Sequence, residues 1–357
     1  MLIVDAHEDI AWNVLTFGRD YRHSAAWIRE REAGTPIPRH NGNTLLGKDD
    51  WLRGEVGVIF ATLFISPLRR RLGDWETQSY ASAEEAYRLA SAQLDTYHRL
   101  VEEDETFRLI GSRSDLEEVL ATWEQERPSE ERRVGLVPLM EGADPILNPE
   151  QVEEWYERGL RVVGLAWEGT RYAGGTHEPG PLTSAGRDLI AAMAELGMIL
   201  DLSHLAEEAY YQAVEEYEGH LIASHSNPRR FLPTSRGLSD RMIQVLAERD
   251  GVVGIVPYNA FLKPGWRRGD RKEEVRIESV AAAIDHVCQV TGSVAHVGIG
   301  TDFDGGLGVE HVPAEIDTIA DLQKLVEPLG RRGYTEDHIA AIFNGNWLRV
   351  LRAALPE

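Results

Sequence analysis

The chain is poor in cysteine, in basic residues and in long apolar runs. It has one cysteine in 357 residues, Cys288, so an internal disulfide is excluded and we interpret this thiol as buried and structural. Only 37 basic residues stand against 59 acidic ones, a net charge of −22, which argues against nucleic acid as a partner. Neither a membrane helix of about 20 apolar residues nor a signal peptide is evident. We therefore expect a cytoplasmic protein with no membrane partner.

Glycine-rich phosphate-binding motifs are also missing after the first apolar run, which disfavours an open nucleotide-binding sheet. The sequence instead contains short runs rich in Val, Ile and Leu, without the alternation of half-exposed strands. Such runs are typical of parallel strands covered on both faces. The predicted strands lie near 2–9, 56–66, 133–141, 160–167, 197–204, 220–226, 251–258 and 296–302.

Helical patterns separate these strands. The predicted helices lie near 80–103, 113–126, 183–196, 205–217, 239–249, 274–291 and 315–328. Eight strands alternating with helices predict an α/β fold, a (β/α)8 TIM barrel of the metal-dependent hydrolase type. We expect a single domain over 1–357, with closing helices within 335–353.

Two long loops are predicted at the carboxyl ends of the strands. A polar insertion rich in Gly, Pro and Arg occupies about 17–55, and a Gly-rich loop occupies 168–182. Loops of this length commonly act as lids or substrate contacts. We expect both to cover the catalytic face.

Metal-type side chains fall at the predicted strand ends. His7 and Asp9 are two residues apart, so in a strand they point to the same side. Glu141 ends the third strand, and His204 and His225 end two successive strands. A parallel barrel gathers its strand ends on one face, where these five residues can meet. A glutamate with two oxygens can contact two cations at once, and the pattern therefore predicts a metal pair.

Acid–base and substrate-binding candidates follow the same rule. Asp302 ends the last strand and is preferred over Asp304 as the residue that carries a proton. Arg236, in the loop after the sixth strand, suits bidentate pairing with a substrate carboxylate, with Arg229 and Arg230 as competitors.

The motifs DAHED, MEG, DLSHL, ASHS, SRGLSD and GIGTDFDG, in this order, resemble the renal (membrane) dipeptidase family, the M19 metallopeptidases of the amidohydrolase-like barrels. The resemblance extends from DAHED to NGNWLRVL. It implies a zinc-dependent dipeptidase with two Zn²⁺ ions, other divalent metals being alternatives, and a metal-bridging hydroxide.

The resemblance also implies a role for each candidate. His7 and Asp9 bind one zinc, Glu141 bridges, and His204 and His225 bind the second. By the same resemblance, Arg236 binds the substrate's C-terminal carboxylate, and Asp302 handles the bridging water and touches substrate. Asp5 supports the site without binding a metal.

Two positions depart from the family pattern. The renal enzymes carry a substrate-binding histidine in a Leu-Thr-His pattern, where GLAWEGT has Trp167. We predict that Trp167 walls the substrate pocket and offers its single indole N–H as a hydrogen-bond donor. His177 is the alternative candidate for the role of the missing histidine. Asp144 in EGAD stands where the renal pattern has histidine. Both changes bear on substrate preference.

The predicted function is hydrolysis of a small zwitterionic dipeptide. Two alternatives stay open at this stage. One is another amidohydrolase activity, on an N-acyl amino acid, lactam or lactone. The other is a catalytically weak, metal-holding barrel with a binding role. A homodimer is also left open as the assembly.

Overall fold

Parallel strands form a closed ring in the computed structural model, which describes residues 1–124 and 131–357. Eight of them each pair with the next strand along the chain, and the last pairs with the first, so that the ring is closed. The strands are β1 Ile3–Glu8, β2 Val56–Phe64, β3 Val134–Glu141, β4 Val162–Gly164, β5 Ile199–Asp201, β6 His220–Ala223, β7 Val252–Ile255 and β8 Val297–Ile299. The predicted TIM barrel is confirmed, and each strand lies within a predicted run.

The ring is closed by two parallel pairings with defined register. β1 pairs with β8 at Asp5 and Ile299, while β2 pairs with β3 from Val58–Gly135 to Phe64–Glu141. Because the strands are parallel, their carboxyl ends all open on one face of the barrel. The side chains that follow the strands therefore share that face.

The opposite end of the barrel is plugged by the C-terminal helix Asn346–Ala354. Trp347 is fully buried, and its indole N–H donates to the carbonyl of Ile299 at 2.9 Å. A methyl group at Gly298 would lie 2.3 Å from Trp347 Nε1, so glycine makes room for the ring. The predicted closing helices are thus present and complete the inner core.

Helices surround the ring. Side chains cap two of them at the N-terminus: Thr183 Oγ1 accepts from Gly186 N at 3.0 Å, and Ser239 Oγ accepts from Met242 N at 3.2 Å. The α-helices are Ile10–Phe17, Ala25–Glu32, Ile37–Asn41, Lys48–Arg53, Ala83–Glu103, Arg113–Ala121, Val152–Glu157, Ser184–Glu195, Glu207–Glu216, Asp240–Glu248, Asn259–Leu262, Ile277–Thr291, Val326–Arg331, Glu336–Ala340 and Asn346–Ala354.

Shorter helical turns connect these elements. 3₁₀ turns lie at Leu68–Arg70, Pro149–Gln151, Lys272–Glu274, Val294–His296, Val309–His311 and Ile319–Leu325, and a π turn at Ala341–Gly345. Among the described residues, none of the helices combines the length and apolar character required to cross a membrane.

Several boundaries differ from the prediction. The insertion is not an irregular loop, because Ala25–Glu32, Ile37–Asn41 and Lys48–Arg53 are helical. Their polar sequences carry little periodic signal, and tertiary contacts fix them instead. The helix predicted at 315–328 is a 3₁₀ turn followed by an α-helix from Val326. The last two residues of the helix predicted at 113–126 lie outside the described residues.

Three short extended segments outside the eight barrel strands lacked a sequence signal of their own. Phe107–Leu109 pairs with the beginning of β3, and Ser66–Pro67 pairs with Ser79–Tyr80. Runs of two or three residues are too short to show a period, so only tertiary pairing reveals them.

The insertion is fixed to the barrel by a buried aspartate in the loop after β8. Asp304 accepts hydrogen bonds from Arg19 Nη1 at 2.9 Å, Tyr21 Oη at 2.6 Å, Thr44 Oγ1 at 2.5 Å and Leu45 N at 2.9 Å. Asp304 and Arg19 are both buried, and Arg19 also pairs with the buried Glu32 at 2.8 Å, so the three charges compensate one another. This network holds the insertion over the carboxyl face.

Replacing Asp304 by alanine should destabilise the protein strongly, because it removes one of the two buried carboxylates paired with Arg19 and also the acceptor of three further hydrogen bonds. We expect Asp304→Ala to lower the free energy of unfolding by about 3–5 kcal/mol, measured by urea unfolding. Glu248→Ala, which removes one partner of the exposed Arg241–Glu248 pair, should cost less than about 1 kcal/mol. Equal losses in the two variants would contradict the anchoring role.

Candidate metal centre

The five predicted ligands meet at the carboxyl ends of the strands. His7 Nε2 lies 3.7 Å from Asp9 Oδ2 and 3.6 Å from Glu141 Oε2. Glu141 Oε1 lies 3.1 Å from His204 Nε2 and 3.2 Å from His225 Nε2. The two oxygens of Glu141 therefore face two different sets of nitrogen ligands, as a carboxylate shared by two cations would.

Some of these residues lie beyond the strands rather than in them. β5, β6 and β8 end two or three residues before His204, His225 and Asp302. His204 and Asp302 have positive φ values of 66° and 58°, so the chain has already left the extended conformation. These turns redirect the side chains towards the centre of the face.

Burial and charge decide the protonation of the cluster. Burial, together with the charge of Arg236, lowers the pKa of His204 to about 4 and that of His225 well below its usual value. Burial also acts to lower the pKa of His7, but the carboxylates of Glu141, Asp9 and Asp302 outweigh it and raise that pKa to about 10. His204 and His225 are thus neutral imidazoles, the form that binds metals.

The tautomer of His225 follows from its neighbours. Ser224 Oγ donates its one hydrogen to Asp201 Oδ2 at 2.5 Å and therefore accepts from His225 Nδ1 at 2.8 Å. The Nε2 lone pair of His225 then faces Glu141 Oε1. Two lone pairs at this distance repel unless a cation lies between them.

Unsatisfied polar atoms also indicate a cation site. His7 Nε2 and Asp9 Oδ1 are buried and have no hydrogen-bond partner among the described residues. Possible ligand atoms converge in three overlapping groups: His7, Asp9 and Glu141; Glu141, His204 and His225; and His7, His225 and Asp302. Imidazole and carboxylate donors suit Zn²⁺ and similar divalent metals. The residues present therefore fit a metal centre.

Neighbouring side chains orient the ligands. Thr176 Oγ1 lies 2.8 Å from His204 Nδ1. Asp201, which accepts the Ser224 hydroxyl, also accepts from Ser224 N at 2.9 Å. Asp5 accepts from Thr301 N and Thr301 Oγ1 at 2.7 and 2.6 Å, which joins β1 to the loop after β8.

Asp302 and Asp304 have different surroundings although they are two residues apart. Asp302 Oδ1 lies 3.9 Å from His7 Nε2, at the cavity. Burial and the charge of Glu141 raise the pKa of Asp302 to about 7, against the lowering effects of His7 and Arg236. Asp304 points to the insertion. The structure therefore places Asp302, and not Asp304, beside the cluster.

Arg236 is the buried arginine of the sixth loop. It donates to Ser226 Oγ at 2.8 Å and to the carbonyl of His225, and it lines the same cavity as Glu141. Its Nε is buried and has no hydrogen-bond partner in the described part of the chain. Arg229 instead pairs with Glu207 at 2.9 Å on the surface, and Arg230 is exposed.

Trp167 lines the cavity against Phe64, with ring centroids 5.1 Å apart. His177 is turned away, since its side chain is 67% exposed and its Nδ1 lies 2.7 Å from Glu168 Oε1. Asp144 accepts from Tyr80 Oη at 2.6 Å and serves as a structural contact. Of the two aromatic candidates, only Trp167 is placed at the cavity.

The cavity has a volume of about 290 Å³, close to the lower end of the range for small-molecule sites. Several of its wall residues were not singled out from the sequence: Trp12, His40, Trp75, Tyr258, Phe261 and Arg268. They come from the first helix, from the short helices Ile37–Asn41 and Asn259–Leu262, and from loops whose paths depend on tertiary contacts. Trp12, three residues after Asp9 on a helix, is the one that spacing could have suggested.

A family model for membrane dipeptidases, peptidase family M19, matches residues 1–355. The chain belongs to this family. Among the relatives of this M19 chain is a protein from the pqqA 5′ region of Klebsiella pneumoniae, 31% identical over 237 residues, which are 64% of this chain and 84% of that protein. An uncharacterized dipeptidase of Schizosaccharomyces pombe is 32% identical over 208 residues, 57% of this chain and 49% of that protein.

The fold of this M19 chain is shared with a metallopeptidase of Rhodobacter sphaeroides, whose structure contains a phosphinate mimic of the dipeptide L-Ala-D-Ala. The two align with a TM-score of 0.80 and 23% identity over 99% of each chain. At this identity the likeness shows the fold. The family is one of metallopeptidases, in agreement with the ligand-type cluster.

Removing the Ser224 hydroxyl should weaken metal binding without removing a ligand. Ser224→Ala frees the Nδ1 of His225 and no longer fixes its tautomer. We expect a loss of about 10–100-fold in metal affinity, measured by competition with a chelator. Ser112→Ala, which removes a helix cap in another part of the fold, should keep the affinity. Unchanged affinity in Ser224→Ala would contradict this orientation of His225.

Proposed function

We propose that this member of the M19 family hydrolyses dipeptides with two divalent cations, zinc in the first instance. The proposal rests chiefly on one observation: the Glu141 carboxylate lies between two groups of ligand atoms in a cavity that also contains the buried Arg236. The dipeptide mimic bound by the Rhodobacter sphaeroides metallopeptidase supports the same class of substrate.

His7 and Asp9 would hold one cation, and His204 and His225 the other, with Glu141 shared. When bound, such ions polarise a peptide carbonyl and make water more acidic. The charge of the two cations would compensate that of the buried Glu141 carboxylate.

The other residues bind substrate and move protons. The Arg236 guanidinium pairs with the C-terminal carboxylate of the dipeptide, because its Nε has no other partner among the described residues. Asp302 Oδ1 takes the proton from the attacking water and delivers it to the leaving amine. Trp167, whose indole N–H has no hydrogen bond within the described residues, walls the cavity and donates to the reacting carbonyl.

The presence of Trp167 in the cavity wall also supports a second candidate activity. An N-acyl amino acid or a lactam with a free carboxylate would satisfy Arg236 equally well, and an aromatic wall suits an apolar acyl group. A barrel that only binds metal would show no turnover of either class. The cytoplasmic location and the homodimer stay predictions from the sequence.

Removing the substrate carboxylate tests the role of Arg236, and comparing free-amine with N-acylated substrates separates the two activities. A dipeptide should be hydrolysed much faster than its C-terminal amide, because amidation removes the anion that Arg236 binds. Arg236→Lys should lower kcat/KM by about 10–100-fold, since an ammonium group lacks the planar fork. The measurement compares the free dipeptide, its amide and its N-acetyl form. Faster hydrolysis of N-acyl amino acids than of any dipeptide would support the second activity, and no turnover at all would reject both.

Replacing Asp302 by asparagine tests proton transfer. Asp302→Asn keeps the shape of the side chain but removes the base, so kcat should fall by about 10²–10⁴-fold. Metal content by elemental analysis should stay close to the two ions per chain expected for the parent. A loss of metal together with activity would show that Asp302 acts mainly as a ligand.

A further inference from the structure

The cavity is lined by more arginines than one carboxylate needs. We propose that Arg268 binds the acidic side chain of the substrate, so that dipeptides containing glutamate or aspartate are preferred over their amide counterparts. This inference rests on the proposed function, because it names the substrate class of the same cavity. It assigns to Arg268 a role in specificity and none in the chemical step.

Arg268 is held at the cavity wall by the loop around it. Its Nη2 donates to the carbonyl of Gly306, which has a positive φ of 77°. The loop is fixed by Trp266, which is 5% exposed and donates from Nε1 to the carbonyl of Arg271 at 3.3 Å. The guanidinium is therefore positioned at the cavity before a substrate arrives.

Arg268 has no carboxylate within ion-pairing distance among the described residues, although the chain is strongly acidic. The other two arginines of the cavity have other anions assigned to them, one in the protein and one in the proposed substrate. Arg70 Nη2 lies 3.3 Å from Glu168 Oε2 and 3.6 Å from Glu178 Oε1. Arg236 is buried beside the metal ligands, where it suits the α-carboxylate. Arg268 is thus the cavity arginine whose charge is left for a second anion.

Arg268 lies close to the end of the cavity that contains Asp302. A methyl group at Gly306 would lie 3.7 Å from Arg268 Nη2, and one at the adjacent Gly305 would lie 2.3 Å from Asp302 Oδ1. The short loop after β8 therefore connects Arg268 to the catalytic carboxylate. An acidic side chain that enters here is repelled by the carboxylates of Asp302 and Asp9. The positive charge of Arg268 compensates this repulsion.

The test compares isosteric dipeptides that differ by one charge: Ala-Glu with Ala-Gln, and Glu-Ala with Gln-Ala, with L- and D-forms at the second position. For the parent protein, kcat/KM should be higher for the acidic member of at least one pair by about tenfold or more. Arg268→Gln should reduce that acid-to-amide ratio by on the order of tenfold, and Arg268→Lys by less.

Arg267→Gln is the matched control, because this neighbour is also exposed but does not line the cavity. It removes the same charge and should leave the acid-to-amide ratio within about twofold. Binding of a non-hydrolysable analogue of the acidic dipeptide, measured by calorimetry, should weaken in Arg268→Gln and not in Arg267→Gln. The calorimetric comparison holds even where a variant turns over slowly.

The outcomes distinguish this inference from the function on which it rests. Hydrolysis of neutral dipeptides without an acid preference, or a preference that Arg268→Gln leaves intact, overturns the role of Arg268 and keeps the dipeptidase. If the Arg267 and Arg268 variants change the acid-to-amide ratio equally, the effect is one of long-range charge, and the role of Arg268 is also overturned. Absence of turnover with every dipeptide rejects the proposed function itself.

Discussion

The carboxylate of Glu141 ends a fully buried strand and faces the imidazoles of three histidines. Burial acts to raise its pKa, yet the charge of His7 holds that pKa well below the usual value, so the group stays ionised. A buried anion is stable only with compensating charge. The rest of the centre follows from this requirement. His204 and His225 are neutral and offer lone pairs but no charge. His7 has to give up its proton to bind a metal, so in the metal-bound centre the compensation would come from the cations.

The barrel meets this requirement with supports around each ligand. Asp201 fixes Ser224, Ser224 fixes the tautomer of His225, and Thr176 contacts His204 from a different loop. These contacts do not touch the expected metal directly. They determine which nitrogen lone pair points into the cluster, and side chains with fixed orientation lose little entropy when a ligand binds. Loss of a supporting contact should therefore lower metal affinity although no ligand is removed.

The sequence predicted the barrel and the convergence of its ligands because both follow from short-range patterns. Buried runs predict parallel strands, and polar residues at their ends must meet on one face. The strand limits were wrong at His204 and Asp302, where left-handed turns end the extended chain early. The sequence also could not place Arg268 or Trp75, because the paths of their loops depend on contacts made far along the chain, as between Asp304 and Arg19.

The loop after β8 shows how stability and chemistry are combined in a few residues. Asp302 faces the ligands, Asp304 fixes the insertion, and Gly305 leaves room for the carboxylates, since a methyl group there would lie 2.5 Å from Asp9 Oδ2. A change in this loop would disturb all three at once. The loop after β7, which carries Arg268, contributes no residue to the ligand cluster. Substrate preference can therefore vary in such loops while the ligand-type residues at the strand ends stay fixed.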